Sequence, residues 1–354
     1  MSLNLDARTF RELLADPALA ETLSATAGSP LITIEVPDAA EGRWLEGLDN
    51  TAVPAVVVIV AADPACLPLT AACAADVILT QDGIAATPFV APPGGLAAAI
   101  AQLDARLAAN PVAGTALALH LRSSADLNVP AGLIAESAAY SALQDGAEFH
   151  RWRASRPDRE PDADTRRVKV ERSLGELRIT LTRPGRRNAI DWRMRDALSE
   201  ALAAAVATPG VRVLLLGDGP DFCAGGDLDE FGSRPDPALA HLIRLTRSPA
   251  MLIHRLRDRA TAFLHGACLG AGIELPAFAG RVHATADTRI GLPEIALGLM
   301  PGAGGTVSLR QRIGRWRTAF VALTGDSISA QQALQWGLID VIDDGAATVG
   351  STAG

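Results

Sequence analysis

The run Ala55-Val-Val-Val-Ile-Val60 has few homes in a folded chain. Its β-branched side chains favour a strand. With no polar residue at alternate positions, neither face suits water. Such a run belongs inside a parallel sheet, with both faces covered. Val211-Arg-Val-Leu-Leu-Leu216 has a similar character. Further strands are expected at 31–36, 76–80, 168–172, 177–182 and 261–264. Helical spacing of apolar residues covers 5–27, 67–75, 96–109, 112–122, 131–152, 191–207 and 236–258. The alternation implies βα units and an α/β fold. Residues 153–167 are charged, carry prolines and have almost nothing to bury, which predicts a linker. The expected domains are therefore 1–152 and 168–354.

Composition narrows the function classes. The hydrophobic fraction of 49% supplies a core, and the net charge of −8 argues against a dedicated nucleic-acid binder. The cysteines, Cys66, Cys73, Cys223 and Cys268, form no C-x-x-C pair, and the histidines lack metal-ligand spacing. No metal is expected, and the cysteine usage fits a reducing, cytoplasmic setting. The most apolar region, 51–80, is broken by Pro54, Asp63, Pro64, Pro68 and Asp76, so it does not read as a membrane span. The N-terminus lacks a signal-peptide pattern.

Chemistry is concentrated in two carboxylates beside glycine-rich backbone. Glu274 follows the turn Gly270-Ala271-Gly272, and Glu294 precedes Pro301-Gly-Ala-Gly-Gly-Thr306. Small residues let a ligand approach the backbone, and helix starts expose N–H groups suited to a developing oxyanion. A second small-residue loop, Phe222-Cys-Ala-Gly-Gly-Asp-Leu228, follows the strand at 211–216. An oxyanion site needs two such donors.

Taken in order, these segments resemble the crotonase, or enoyl-CoA hydratase/isomerase, superfamily over about 168–343. Leu177 to Ile190 is similar to its opening strand and Asn-Ala turn. Phe222–Leu228 and Gly270–Glu274 resemble its two oxyanion loops, and Pro293-Glu294-Ile295 its second acid segment. Ile328–Ile339 resembles the following helix and strand.

The resemblance implies a crotonase-like ββα spiral and an acyl-CoA thioester substrate, with coenzyme A as part of the substrate and no separate cofactor. It implies that the N–H groups of Gly226 and Ala271 hold the thioester oxygen and that Glu274 and Glu294 are catalytic. Ala224, Gly225, Asp227, Leu228, Gly270 and Arg187 are expected near the substrate, Asp227 with a capping role as its alternative. Retention of both acids favours addition of water to a 2-enoyl-CoA. Isomerase or hydrolase activity of the same superfamily is the alternative, and a non-catalytic CoA-ester-binding or assembly protein is the rival of another class. A homotrimer or hexamer is expected by analogy.

The first half also shows an echo of the second. Ala55–Val60 and Cys73–Ile84 resemble Val211–Leu216 and Phe278–Ile290, yet residues 61–76 stand where the second half has the long segment 217–281 that carries both oxyanion loops. This predicts a truncated crotonase-like unit without a site. Its helices at 96–153 resemble those that follow the catalytic core in relatives and cover the site. They are expected to supply that cover, in cis or from a neighbour.

Overall fold

The computed structural model describes residues 3–81, 83, 86–157, 166–233 and 236–343. Most of the expected linker, 158–165, and the tail beyond 343 lie outside the described residues. The chain divides into two compact units. The first contains residues 1–126, 294–300 and 313–325, and the second residues 127–293, 301–312 and 326–354. This division falls earlier than the boundary at 152 expected from composition, because the helices after residue 127 pack within the second unit.

In the first unit, β1 (Leu3–Asp6), β2 (Leu31–Glu35), β3 (Val56–Val60), β4 (Val77–Leu79) and β5 (Phe89–Val90) form one parallel sheet in that order. The short helices α1 (Ala7–Leu14), α2 (Leu19–Thr22) and α3 (Ala39–Gly42) occupy the connections. Helices α4 (Leu96–Ala109) and α5 (Pro111–Ser123) follow the sheet. The expected helix over 5–27 is instead a strand end and two short helices, α1 and α2, with turns between and after them. Leu3-Asn-Leu-Asp6 is an edge strand, and Asp6 caps α1 by accepting from the Thr9 N–H. The stretch at 69–74 is a 3₁₀ turn. Val56 to Ile59 are fully buried, as the unbroken run required. Val57 and Ile59 pack in a core with Phe10, Ile32, Ile34, Leu45 and Ile78.

A buried ion pair ties this unit together. Arg122 of α5 bonds both oxygens of Asp76 and donates to the carbonyls of Asn50, Val53 and Ala55. Asp76 also accepts from the Val57 N–H. Both side chains are 1% exposed.

In the second unit, α6 (Val129–Gln144) and α7 (Ala147–Ala154) precede the sheet. A single helix over 131–152 was expected; Asp145-Gly146 breaks it. The six-stranded sheet runs β14 (Val341–Ile342), β11 (Arg281–Ala284), β9 (Ala260–Leu264), β8 (Arg212–Gly217), β7 (Glu176–Leu181), β6 (Val168–Ser173). All its pairings are parallel except β6 with β7. Edge strand β6 is mostly exposed and carries Lys169, Glu171 and Arg172, which suits an unpaired edge. Helix α8 (Trp192–Val206) is capped by Asp191. The helix expected over 236–258 is two, α9 (Pro237–Thr246) and α10 (Pro249–Arg255), because Ser248-Pro249 starts a new one.

A small sheet of β10 (Ala267–Leu269), β12 (Arg289–Gly291) and β13 (Ile328–Ser329) flanks the one-turn helix α11 (Ala271–Glu274). Helix α12 (Gly305–Thr324) bends at Gly314, where φ is 77°, and α13 (Ala330–Trp336) precedes β14.

Truncating Arg122 would leave the buried Asp76 charge with only the Arg315 guanidinium, at 3.9 Å. Arg122→Ala is expected to cost about 3–5 kcal/mol in denaturant unfolding. A loss below about 1 kcal/mol would mean that the pair does not anchor the sheet.

Candidate active site

The two small-residue bends, distant in sequence, are joined by backbone bonds. Phe222 N–H donates to His265 O, Cys223 N–H to Ala267 O, and Leu269 N–H to Cys223 O, at 2.9–3.1 Å. The first bend is tied on its other side to the Asn-Ala turn. Ala224 N–H donates to Arg187 O, Ile190 N–H to Gly225 O, and Asp227 N–H to Ile190 O.

Glycine is sterically required at this junction. A Cβ on Gly272 would lie 2.1 Å from Cys223 O, and one on Gly225 would lie 2.9 Å from Leu269 O. Gly225 also has φ 101° and Gly270 φ 49°, which disfavour larger residues. Neither the Gly226 nor the Ala271 N–H has an acceptor among the described residues.

The surrounding side chains mostly hold backbone. Asn188 takes the left-handed conformation, accepts from Arg183 N–H and donates to the carbonyls of Asp218 and Asp221. Asp227 is buried against Arg183 at 2.6 Å and accepts from the Asp229 N–H. It is thus engaged within its own loop, in a turn rather than at a helix start. Arg187 bonds Asp221 at 2.6 Å, and Asp221 also accepts from the Ala267 N–H. This hydrogen bond with Arg187 holds the Asp221 carboxyl below its usual range. The Arg187 side chain remains 55% exposed. Leu228 is half-buried in the same loop.

His265 meets Gly219 O at 3.0 Å and packs edge-on against Phe222, in keeping with a packing role. Burial pushes the Cys223 thiol up to about 12 and raises that of Cys268, so both stay protonated.

Glu274 is 2% exposed. Its Oε2 accepts the Ala303 and Gly305 N–H groups, each at 2.8 Å, ahead of and at the start of α12. Burial raises its carboxyl to about 7 despite these bonds. A Cβ on Gly305 would lie 2.7 Å from the Glu274 side chain, so glycine there lets the carboxylate reach the backbone. Glu294 is buried and opens the 3₁₀ turn Glu294–Leu297, among the residues of the first unit.

One residue escaped the sequence reading. Glu136 of α6 is 1% exposed and accepts from Gly304 N–H, Thr306 N–H and the Thr306 hydroxyl. Its sequence signal was faint: it is the single charged residue in Val129–Gln144.

The geometry can be set beside known proteins. Residues 171–353 match the family described as Enoyl-CoA hydratase/isomerase. The chain belongs to that family, and its crotonase-like α/β fold follows. Over 172 residues it is 37% identical to the 2,3-dehydroadipyl-CoA hydratase of Escherichia coli K12, covering 48% of this chain and 66% of that protein. It is 34% identical over 176 residues to the 1,2-epoxyphenylacetyl-CoA isomerase of the same organism, covering 48% and 67%. Among solved structures, an enoyl-CoA hydratase from Thermoplasma volcanium GSS1 superposes with a TM-score of 0.47 at 33% identity, over 52% of this chain and 74% of that one. The chain thus spans just under two thirds of the E. coli hydratase. Among the described residues no helix is long and apolar enough to cross a membrane, and no cluster fits a metal ion.

Two outcomes follow from this geometry. Gly272→Ala should force the bends apart and lower stability by about 1–3 kcal/mol; an unchanged melting temperature would contradict the close approach. The second concerns Glu274. Its carboxyl rises from 4.5 to about 7 on folding, so the folded state holds the proton more tightly. That contribution to stability is present below pH 4.5 and is lost as pH rises through about 7. Glu274→Gln does not titrate, so its melting temperature should rise relative to wild type across this window. A pH-independent difference would contradict the raised carboxyl.

Proposed function

We propose that the chain is an enoyl-CoA hydratase that adds water across the double bond of a 2-enoyl-CoA thioester. The observation that carries the reading is the pair of joined bends whose Gly226 and Ala271 N–H groups have no acceptor among the described residues. Two backbone donors aimed at one oxygen would stabilise an enolate-like intermediate, each worth about 3 kcal/mol. Ala224, Gly225 and Gly270 shape the approach to those donors. Leu228 borders the acyl group, and Arg187 lies where an anionic CoA moiety would pass. The family's hydratase and isomerase members make the thioester class the natural substrate.

The hydratase reading rests on two carboxyls. Glu274, anchored through Oε2 by two N–H groups, would take a proton from a water molecule when ionised. Glu294 would deliver the proton to the α-carbon. Loss of a proton from water to Glu274, attack of its oxygen on the β-carbon, and protonation of the α-carbon by Glu294 complete the addition; exchange with solvent then removes the proton from Glu274 and restores the one on Glu294, without a further cofactor. The protein is read as acting in the cytoplasm as a homotrimer or hexamer, on the family analogy. Isomerisation remains the second reading, favoured if Glu294 alone carries the proton transfer.

The direct test follows the loss of enoyl absorbance when purified protein meets crotonyl-CoA and longer 2-enoyl-CoAs. Wild type should hydrate at least one of them. Glu294→Gln and Glu274→Gln should each lower kcat by about 10²–10⁴-fold while still binding the CoA ester. Binding without turnover by wild type would favour the CoA-ester-binding alternative. Full activity in Glu294→Gln would overturn its assigned role, and double-bond migration without Glu274 would favour the isomerase.

A further inference from the structure

The turn that holds Glu274 holds a second carboxylate. Four successive N–H groups, Ala303 to Thr306, stand before and at the first turn of α12, where a helix has no internal acceptors. They are taken alternately. Ala303 and Gly305 donate to Glu274; Gly304 and Thr306 donate to Glu136. The Thr306 hydroxyl adds a third bond to Glu136, at 2.6 Å. Glu136 comes from α6, far from the turn in sequence and outside the residues 171–353 of the family match.

We propose that Glu136 is a positioning residue for the reaction at Glu274: it holds the 303–306 turn in the conformation that grips the Glu274 carboxylate, and it shares that turn's donors with Glu274, so that removing its carboxylate changes the pH dependence of activity. The proposal rests on the function assigned above and adds a residue to that site.

The geometric half is a matter of acceptors. Without the Glu136 carboxylate, two backbone donors and one hydroxyl would lose their partners in a buried place. Gly304 has φ 109°, and a Cβ there would lie 2.5 Å from the Phe278 ring, so the turn has little room to relax. A shift of Gly304 carries Ala303 and Gly305 with it, and these hold Glu274.

The charge half follows from what faces Glu136. Glu274 shares its turn. On the other side, Arg244 and His241 of α9 bond the neighbouring Ser137, and Arg244 stacks over Tyr140. Burial first, and the Glu274 charge second, raise the Glu136 carboxyl to about 8. Glu274, raised to about 7, therefore ionises ahead of Glu136. Above about 8 both are charged. A second negative charge there opposes the one that builds on the thioester oxygen at Ala271, three residues before Glu274.

The experiment uses the full chain with crotonyl-CoA from about pH 6 to 10, together with the infrared carbonyl band of protonated carboxyls in D₂O. In wild type kcat should rise through about 7 and fall by about tenfold per pH unit above about 8. The carboxyl band should vanish in two steps over the same range. Glu136→Gln, whose amide N–H₂ opposes one set of the turn's donors, should lower kcat by about tenfold, lose the alkaline fall and show one step. Should that variant fail to fold, Thr306→Ala serves. It removes the hydroxyl that favours the ionised Glu136, and so should move the upper step and the alkaline fall to higher pH. Profiles in Glu136→Gln or Thr306→Ala that superimpose on wild type would overturn the proposal, as would a single step in wild type. The two readings separate cleanly. Two steps without turnover of any enoyl-CoA count against the function assigned to Glu274. Normal turnover with one step counts against Glu136.

Discussion

The site depends on a backbone stitch between two bends. Three hydrogen bonds join Phe222-Cys223 to the segment 265–269, and they fix where Gly226 and Ala271 point. No side chain could do this as economically, because the donors that would face a ligand are themselves main chain. The cost is a set of glycines that cannot change. Gly272 lies against Cys223 O, and Gly225 against Leu269 O. The parallel sheet supplies the frame: β8 and β9 are neighbours in register, so the loops leaving them emerge side by side. Ligand sites at the ends of adjacent parallel strands follow from this geometry.

Electrostatics adds a second layer. A carboxylate in a dry interior is expensive unless something offsets its charge. Here the offset is the start of α12, whose unpaired N–H groups and dipole favour anions. Two carboxylates from separate elements compete for that one positive end. Burial raises both, to about 7 for Glu274 and about 8 for Glu136, where the Glu274 charge adds to it.

Much of this was legible in the sequence. The unbroken run Val56–Val60 gave a strand buried on both faces, and the glycine bends stood out against their apolar surroundings. The less legible features are non-local. Leu3–Asp6 is too short for its alternation to compete with the helical pattern that follows, and only pairing with β2 makes it a strand. Asp145-Gly146 and Ser248-Pro249 break helices that periodicity alone carried through. Glu136 meets its partners at separations of 168 and 170 residues, so no local pattern marks it. Asp227 and Arg187, expected near the substrate, likewise have partners, Arg183 and Asp221, that only the fold brings close.

The central claim is that an N–H group at each bend works on the same thioester oxygen. Ala271 permits a clean removal of one of them. It is the first residue of α11, a position where proline is well tolerated, and its N–H bonds no described residue. Steady-state kinetics of Ala271→Pro with the best enoyl-CoA substrate, alongside a melting curve, is the most direct measurement. The account predicts a loss of about 10²–10³-fold in kcat with the fold retained. Turnover within about threefold of wild type in a folded Ala271→Pro protein would contradict it.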